Sequence, residues 1–240
     1  MSEKNSIEFK VYSRYALFTD PITRVGGEKS SYHIPTYEAL KGIVKSIYWK
    51  PTFLWIIDEV RLMQRIRTQT KGIKPLKYSS GGNDLSIYTY LVQVEYQVRA
   101  HFEWNLHNSE LEFDRDDGKH YAIAKRMLKR GGRQDIFLGT RDCQGYVEPC
   151  EFCSGESPYD GEGEVAFGLM FHGFDYPDET GEEELYARFW RPIMRDGCIT
   201  FIRPEQCDIR KFIRPMKAKR FGVDRITSVD TEFETVGDLK

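Results

Sequence analysis

Val92-Gln93-Val94-Glu95-Tyr96-Gln97-Val98-Arg99-Ala100-His101-Phe102-Glu103-Trp104 alternates apolar and polar side chains without interruption. Successive side chains of a strand point to opposite faces. Val92, Val94, Tyr96, Val98, Ala100, Phe102 and Trp104 therefore share one face, which must be buried, and the polar set takes the other. This half-buried strand needs neighbours, and the flanking sequence supplies them. Ile7 to Tyr15 reads as a strand. Phe53 to Thr68 reads as a long one, with Leu54, Ile56, Val60, Leu62 and Ile66 on one face and a basic outer face of Arg61, Arg65 and Arg67. Asp135 to Leu138 reads as a fourth.

Two helices fall between them. Thr36 to Lys50 carries Leu40, Ile43, Val44 and Ile47 on one side, places Tyr48 in its last turn and is ended by Pro51. The second begins at Asp116-Asp117-Gly118-Lys119-His120-Tyr121, where the aspartates offer an N-cap. It runs through Tyr121, Ala124 and Leu128 at helical spacing and stops at Lys129-Arg130-Gly131-Gly132. The order strand, helix, strand, strand, helix, strand is that of a ferredoxin-like fold, which RNA-recognition motifs also use. Its helices lie side by side on one face of the sheet, so Tyr48 at the end of the first is expected to approach His120 at the start of the second. After Cys150 the chain turns Gly- and acid-rich, with short strands near Val165 to His172 and Ile199 to Arg203. The expectation is an α+β protein: a ferredoxin-like, RRM-like domain over 1–149, and a smaller β-rich domain over 150–240 with a basic tail segment.

A chain of 240 residues, 40% hydrophobic, can bury a real core. No apolar run is long enough to span a bilayer, and Met1-Ser2-Glu3-Lys4-Asn5 lacks the hydrophobic region of a signal peptide, so a cytoplasmic protein without membrane contact is expected. Five cysteines are odd in number and sparse, which argues for reduced thiols. Cys150-Glu151-Phe152-Cys153 has zinc-type spacing, but no second pair follows it, and neither a metal site nor a cofactor is expected. The net charge of -2 hides a division: residues 1–150 hold 23 Lys+Arg against 18 Asp+Glu, and residues 151–240 hold 12 against 19. A polyanion would prefer the first part. Within the second, Arg203, Arg210, Lys211, Arg214, Lys217, Lys219 and Arg220 form a local basic stretch, which reads equally as a solvated surface.

Lys119-His120 is the pair with chemistry in it. A histidine in the first turn of a helix meets exposed N–H donors and the positive dipole end, both of which disfavour the imidazolium, while Lys119 offers a fixed positive charge. Taken alone, the pair reads as an ordinary surface turn. Asp114, Asp116 and Asp117 read as capping and solubility. Gly131, Gly132, Gly139 and Gly145, interleaved with Arg130, Arg133 and Arg141, could let backbone N–H groups and guanidinium forks approach phosphates. This is no P-loop, because no Gly-Lys-Ser/Thr follows. His33, His101, His107 and His172 are scattered among different elements.

Several longer strings carry a resemblance: Tyr15-Ala16-Leu17-Phe18-Thr19-Asp20-Pro21, Pro35-Thr36-Tyr37-Glu38-Ala39-Leu40-Lys41-Gly42-Ile43, Ser46-Ile47-Tyr48-Trp49-Lys50-Pro51-Thr52, Tyr96-Gln97-Val98-Arg99-Ala100-His101-Phe102-Glu103-Trp104 and Gly131-Gly132-Arg133-Gln134-Asp135-Ile136-Phe137-Leu138-Gly139-Thr140-Arg141. They resemble the fifth Cas family of CRISPR systems, subtype I-C, formerly called Dvulg. The likeness runs from about Tyr15 into Tyr176-Pro177-Asp178-Glu179. It implies a metal-independent endoribonuclease that cuts precursor CRISPR RNA at the repeat hairpin and stays bound to its product within a type I-C surveillance complex. The family's Tyr, Lys and His triad carries over onto Tyr48, Lys119 and His120. With the resemblance, RNA-backbone contacts are expected from Arg61, Arg65, Arg67, Arg130, Arg133 and Arg141. The implied partners are the repeat hairpin and other subunits of the complex, with DNA contact also open. The rivals are a non-catalytic RNA-binding scaffold and, more remotely, a metal-dependent nuclease acting on DNA.

Overall fold

The computed structural model describes residues 5–219 apart from 22, 24–26 and 78–80. The first strand is β1 (Ser6–Ala16), and α1 (Tyr37–Ile47) follows it. Thr36 caps α1 by accepting from the Ala39 N–H at 3.1 Å. Next come β2 (Phe53–Leu62), β3 (Thr68–Ile73) and β4 (Ser86–Trp104). A 3-10 segment at Ser109–Asp114 then leads into α2 (Asp117–Lys129), which is capped by Asp116. The remainder is β5 (Ile136–Phe137), β6 (Gln144–Pro149), β7 (Glu164–Ala166), β8 (Met170–Asp175), a four-residue α3 (Pro177–Thr180), β9 (Glu184–Trp190), β10 (Ile193–Arg195), β11 (Cys198–Thr200) and β12 (Ile209–Pro215).

Nine strands form one sheet in the order β5-β6-β1-β4-β2-β11-β10-β7, with β3 paired to the first half of β4. A second sheet runs β12-β9-β8. The ladders between strands are antiparallel. The fold is thus mixed, with mostly antiparallel sheets and few helices. The alternating stretch sits at the centre of the large sheet as the second half of β4, flanked by β1 and β2.

Both helices pack on one face of this sheet. Leu40, Ile43, Val44 and Ile47 of α1 meet a layer made of Phe9, Val11, Phe53, Trp55, Ile57, Val98, Ala100 and Phe102, all nearly inaccessible to solvent. Each such side chain contributes roughly 1.5–3 kcal/mol by leaving water, which is why the helices cannot slide off this face. From α2 the buried stripe is His120, Ala124 and Leu128, while Tyr121, expected on that stripe, is only half-buried.

Two strand expectations need correction. The long strand over 53–68 is two strands, because β2 stops at Leu62 and β3 starts afresh at Thr68 against the outer half of β4. Nor do Leu54 and Ile56 share a face with Val60 and Leu62. The register slips at Asp58, which opposes no residue of β4, so Phe53, Trp55 and Ile57 face the helices before the slip and Val60 and Leu62 after it. One extra residue reverses every later side chain.

The face of the sheet away from the helices is a lattice of ion pairs. Arg99 bridges Glu8 and Glu59, Lys10 meets Glu148, His101 lies between Asp58 and Glu103, and Arg203 spans Glu103 and Glu205. Phe152 lies under the Arg99 guanidinium, and Gln97 is bonded to the Cys153 N–H and the Ser154 carbonyl, so residues 152–154 cover part of this face.

Candidate functional site

Tyr48 and His120 meet. The Tyr48 hydroxyl lies 2.8 Å from His120 Nδ1. Tyr48 is the C-cap of α1, where its N–H still bonds the Val44 carbonyl while its own dihedrals are already extended. Its carbonyl accepts from the Trp55 indole at 2.7 Å, which anchors the cap to β2. His120 projects from the first turn of α2 into an aromatic box, with ring centroids 5.2 Å from Phe53, 5.7 Å from Trp104 and 6.3 Å from Phe102. The imidazole is 0% exposed and Tyr48 only 3%. A histidine in a first turn reads as exposed when helical spacing is counted from Tyr121. Counting from His120 puts it on the buried stripe instead.

The second ring nitrogen settles the proton arrangement. His120 Nε2 lies 2.7 Å from the backbone carbonyl oxygen of Asp114. A carbonyl only accepts, so Nε2 carries the hydrogen. In the neutral ring Nδ1 is then an acceptor, and the Tyr48 hydroxyl donates to it. Burial, and after it the Asp114 charge, push the Tyr48 phenol up to about 12 against the pull of the Arg133 guanidinium.

Asp114 is no mere solubility residue, because the structure places it inside the site. Its carboxylate accepts from Thr52 Oγ1 at 2.7 Å, is ion-paired with the Lys119 ammonium, and lies 3.5 Å from His120 Nε2. Burial raises its pKa, but the hydrogen bonds from Lys119 and Thr52 and the neighbouring positive charge outweigh burial and hold it below the usual range. Asp116 does cap α2, accepting from the Lys119 N–H at 2.9 Å. The signal that separates the two aspartates is spacing: Asp116 stands at the N-cap, while Asp114 lies one short turn upstream and can fold back over residues 119 and 120.

The expected phosphate-binding cations fall into two groups. Arg61 is 6% exposed, with its guanidinium on Asp160 (2.8 and 3.0 Å) and the Gly155 carbonyl. Arg65 is ion-paired with Glu162 and lies 5.0 Å over the Tyr159 ring. The basic outer face expected for β2 is therefore neutralised by the 155–162 segment. Arg67, Arg130, Arg133 and Arg141 are exposed, and none has an ion-pair partner among the described residues.

The glycine-rich loop after α2 also differs from its expected use. Gly131 and Gly132 take the left-handed conformation that ends α2, with φ of +89° and +108°. The N–H groups of Arg133 and Gln134 then bond the Ser46 carbonyl at 3.0 Å each, so this backbone terminates α1 rather than facing a ligand. Only the side chains remain for phosphates. Arg133, Lys45 and Lys50 line an open groove with Trp49 and Pro51, of about 620 Å³, at the end of α1. That volume lies in the range of small-ligand sites.

Cys143, Cys150, Cys153, Cys198 and Cys207 are free thiols. Among the described residues no three His, Cys, Asp or Glu side chains gather in a way that would hold a metal ion. No helix of the described residues is long and apolar enough to cross a membrane. Of the basic tail segment, Arg203 and Arg210 are tied to acids, Lys211 and Arg214 lie on the exposed β12, and Arg220 lies outside the described residues.

Comparison with known proteins agrees with this arrangement of elements. Two curated relatives carry the name CRISPR pre-crRNA endoribonuclease Cas5d. The one from Thermus thermophilus is 26% identical over 228 residues, covering 88% of this chain and 85% of the relative, and the one from Mannheimia succiniciproducens is 27% identical over 225 residues, covering 81% and 94%. Among solved structures, a CRISPR-associated protein superposes with a TM-score of 0.73 at 36% identity, over 86% of this chain and 96% of that one. A functionally uncharacterized protein from Streptococcus mutans superposes with a TM-score of 0.72 at 37% identity and the same coverage. A family model described as CRISPR-associated protein (Cas_Cas5) matches residues 6–202, and this chain belongs to that Cas5d family.

Proposed function

We propose that the chain is an endoribonuclease that cleaves precursor CRISPR RNA at the repeat hairpin without a metal ion and keeps the product within a type I-C surveillance complex. The observation that carries this reading is the 2.8 Å bond between Tyr48 and His120, drawn from two helices with Lys119 beside them. The names of the curated relatives supply the substrate class.

The proposed reaction is transesterification within the RNA. The ribose 2′-hydroxyl gives its proton to the site and its oxygen bonds the adjacent phosphorus. The bond from phosphorus to the 5′-oxygen breaks, and that oxygen takes a proton from solvent, which leaves a 2′,3′-cyclic phosphate and a 5′-hydroxyl. A free phenolate is a poor candidate base, because a phenol at about 12 is ionised in only about one molecule in 10⁵ at pH 7. The imidazole is the stronger acceptor, and in this reading it acts through the Tyr48 hydroxyl that is bonded to its Nδ1. Lys119, whose side chain is 48% exposed, supplies positive charge for the phosphorane-like transition state.

In this reading residues 1–149 form a ferredoxin-like unit, supported by the run β6-β1-β4-β2 with both helices on one face, and residues 150–240 form a β-rich unit. Phosphates are held by Arg67, Arg130, Arg133 and Arg141, while Arg61 and Arg65 join only by leaving Asp160 and Glu162. The ion-pair lattice on the open face of the sheet makes the helical side the RNA side. The protein acts in the cytoplasm, with other subunits of the complex as partners and DNA passing close by.

One observation favours a second reading, a non-catalytic RNA scaffold: Tyr48 and His120 are buried, and Lys119 is paired with Asp114. Incubating the purified protein with repeat RNA in EDTA separates the two. Cleavage to a cyclic phosphate end supports the nuclease, tight binding without cleavage supports the scaffold, and activity lost on chelation and restored by a divalent cation overturns the metal-free chemistry.

A further inference from the structure

The geometry points to Asp114 as the positioning residue of the site: it locks His120 in the Nε2–H tautomer, so that Nδ1 can only receive a proton through Tyr48, and its carboxylate stabilises the imidazolium that results. The inference rests on the nuclease reading above and gives that site a direction. Three interactions of one residue carry it. The Asp114 carbonyl takes the Nε2 hydrogen at 2.7 Å. The carboxylate is tied to Thr52 at 2.7 Å, at the entry to β2, and to the Lys119 ammonium on α2. These two ties hold the end of the 3-10 segment, and with it the carbonyl, against the imidazole. The same carboxylate stands 3.5 Å from Nε2.

The neighbours make the arrangement directional. The charged or titratable groups facing the imidazole are Tyr48 from α1, Asp114 from the 3-10 segment and Lys119 beside it on α2. The strands present only Phe53, Phe102 and Trp104. Among the described residues, a cation formed on His120 in this box therefore has one counter-charge, Asp114. During reaction the proton of the 2′-hydroxyl passes to Tyr48 Oη as the Tyr48 proton passes to His120 Nδ1. No free phenolate forms, and the imidazolium returns its proton by the same route after the product end is made. In this relay the ribose meets Tyr48, and His120, bonded to the Tyr48 hydroxyl at 2.8 Å, takes the proton from behind it.

Asp114→Asn tests this, because it keeps the Thr52 bond and the shape while removing the charge and the Lys119 pair. In single-turnover cleavage of repeat RNA the variant is expected to lose roughly 10-fold to 100-fold in rate, the range in which outer hydrogen-bond partners of a functional imidazole act, with hairpin affinity within about twofold. The acid limb of its pH–rate profile should shift to lower pH, and Asp114→Glu should recover part of the rate. A merely structural role would not move the acid limb. Heteronuclear NMR of ¹⁵N-histidine-labelled wild-type protein without RNA reads the tautomer directly, and Nε2–H is expected. Wild-type protein showing the Nδ1–H tautomer, or Asp114→Asn cutting at the wild-type rate with an unmoved acid limb, overturns the inference. Should Asp114→Asn fail to fold by circular dichroism, Asp114→Glu and the wild-type tautomer decide. Wild-type protein that binds but never cuts overturns the nuclease reading instead, and the tautomer measurement still stands or falls by itself.

Discussion

Tyr48→Phe removes one oxygen atom and leaves the ring that packs 5.6 Å from Phe53. Two consequences follow, and their sizes differ enough to be told apart. The first is structural. His120 Nδ1 loses its partner inside the aromatic box, and a buried unsatisfied acceptor costs about 1–3 kcal/mol. The variant is also spared the desolvation of its own hydroxyl, so the net loss should fall near the low end, about 1 kcal/mol. For a domain of this size that lowers Tm by about 2–4 °C. The second is chemical. If the proton must pass through the phenol, the single-turnover cleavage rate falls by roughly 10²–10⁴-fold. Instability cannot imitate this, because a protein with about 5–15 kcal/mol of stability that gives up about 1 remains almost wholly folded at 25 °C. The assay is rapid-quench cleavage of end-labelled repeat RNA at saturating protein, beside a thermal melt of the same preparation and a binding titration. A lowered Tm with a wild-type cleavage rate would refute the reasoning: Tyr48 would then be a packing residue whose hydroxyl serves only to satisfy His120.

Other outcomes follow from the same geometry. A 2′-deoxy sugar at the scissile position should abolish cleavage and leave hairpin affinity nearly intact in a gel-shift titration, and continued cutting would exclude attack by the 2′-hydroxyl. Changing Arg130, Arg133 and Arg141 together to Ala should weaken RNA binding and reduce the slope of log K against log salt by up to about 0.9 for each phosphate that is no longer neutralised; an unchanged slope in filter binding would place the RNA elsewhere. Arg61→Ala should instead act on stability, by about 1 kcal/mol, because it removes a buried side chain bonded to Asp160 and the Gly155 carbonyl, and chemical denaturation would read that directly. His101 has its pKa raised, first by the hydrogen bond to Asp58 and also by Glu103, against the opposing effect of burial. Its contribution is fully present below its unfolded value of about 6.5 and is lost as pH rises through the higher folded value. Tm should therefore decline over that window in wild-type protein and stay flatter in His101→Gln; identical profiles would show the pairing to be neutral.

Much of the fold is legible in the residues. The alternation from Val92 to Trp104 identifies the central strand because one face meets helices and the other meets water and ion pairs. The caps at Thr36 and Asp116 and the stop at Gly131-Gly132 mark helix ends, since unsatisfied N–H and C=O groups leave a local signature. The meeting of Tyr48 and His120 follows from helix order. What stays hidden is long-range. Whether Arg61 and Arg65 face RNA or acids depends on Asp160 and Glu162, about a hundred residues later, and charge counting along one strand cannot see across that distance. Asp114 looks like any other acid near a helix start until the backbone turn that folds it over His120 is known. The strands after Cys150 are short, and three of them, β11, β10 and β7, extend the large sheet, a pairing that local pattern does not encode.

The unpaired residue at Asp58 has a consequence for how this chain can vary. Upstream of it β2 sends Phe53, Trp55 and Ile57 to the helices; downstream the same direction is taken by Val60 and Leu62, which is possible only because one position is skipped. Asp58 therefore acts as a phase shifter: Ile57 and Glu59 oppose Ala100 and Arg99, which are neighbours on β4, so loss of Asp58 would leave a regular ladder with the same side chains facing the helices. Removing one residue from 59–62 while Asp58 stays unpaired would instead turn the side chains beyond the deletion to the opposite face, so a deletion beside the bulge is far more damaging than loss of the bulge itself. Relatives that lack a residue at this position should shorten the spacing between the tryptophan at 55 and the arginine at 61 by one and still send the same side chains to the helices.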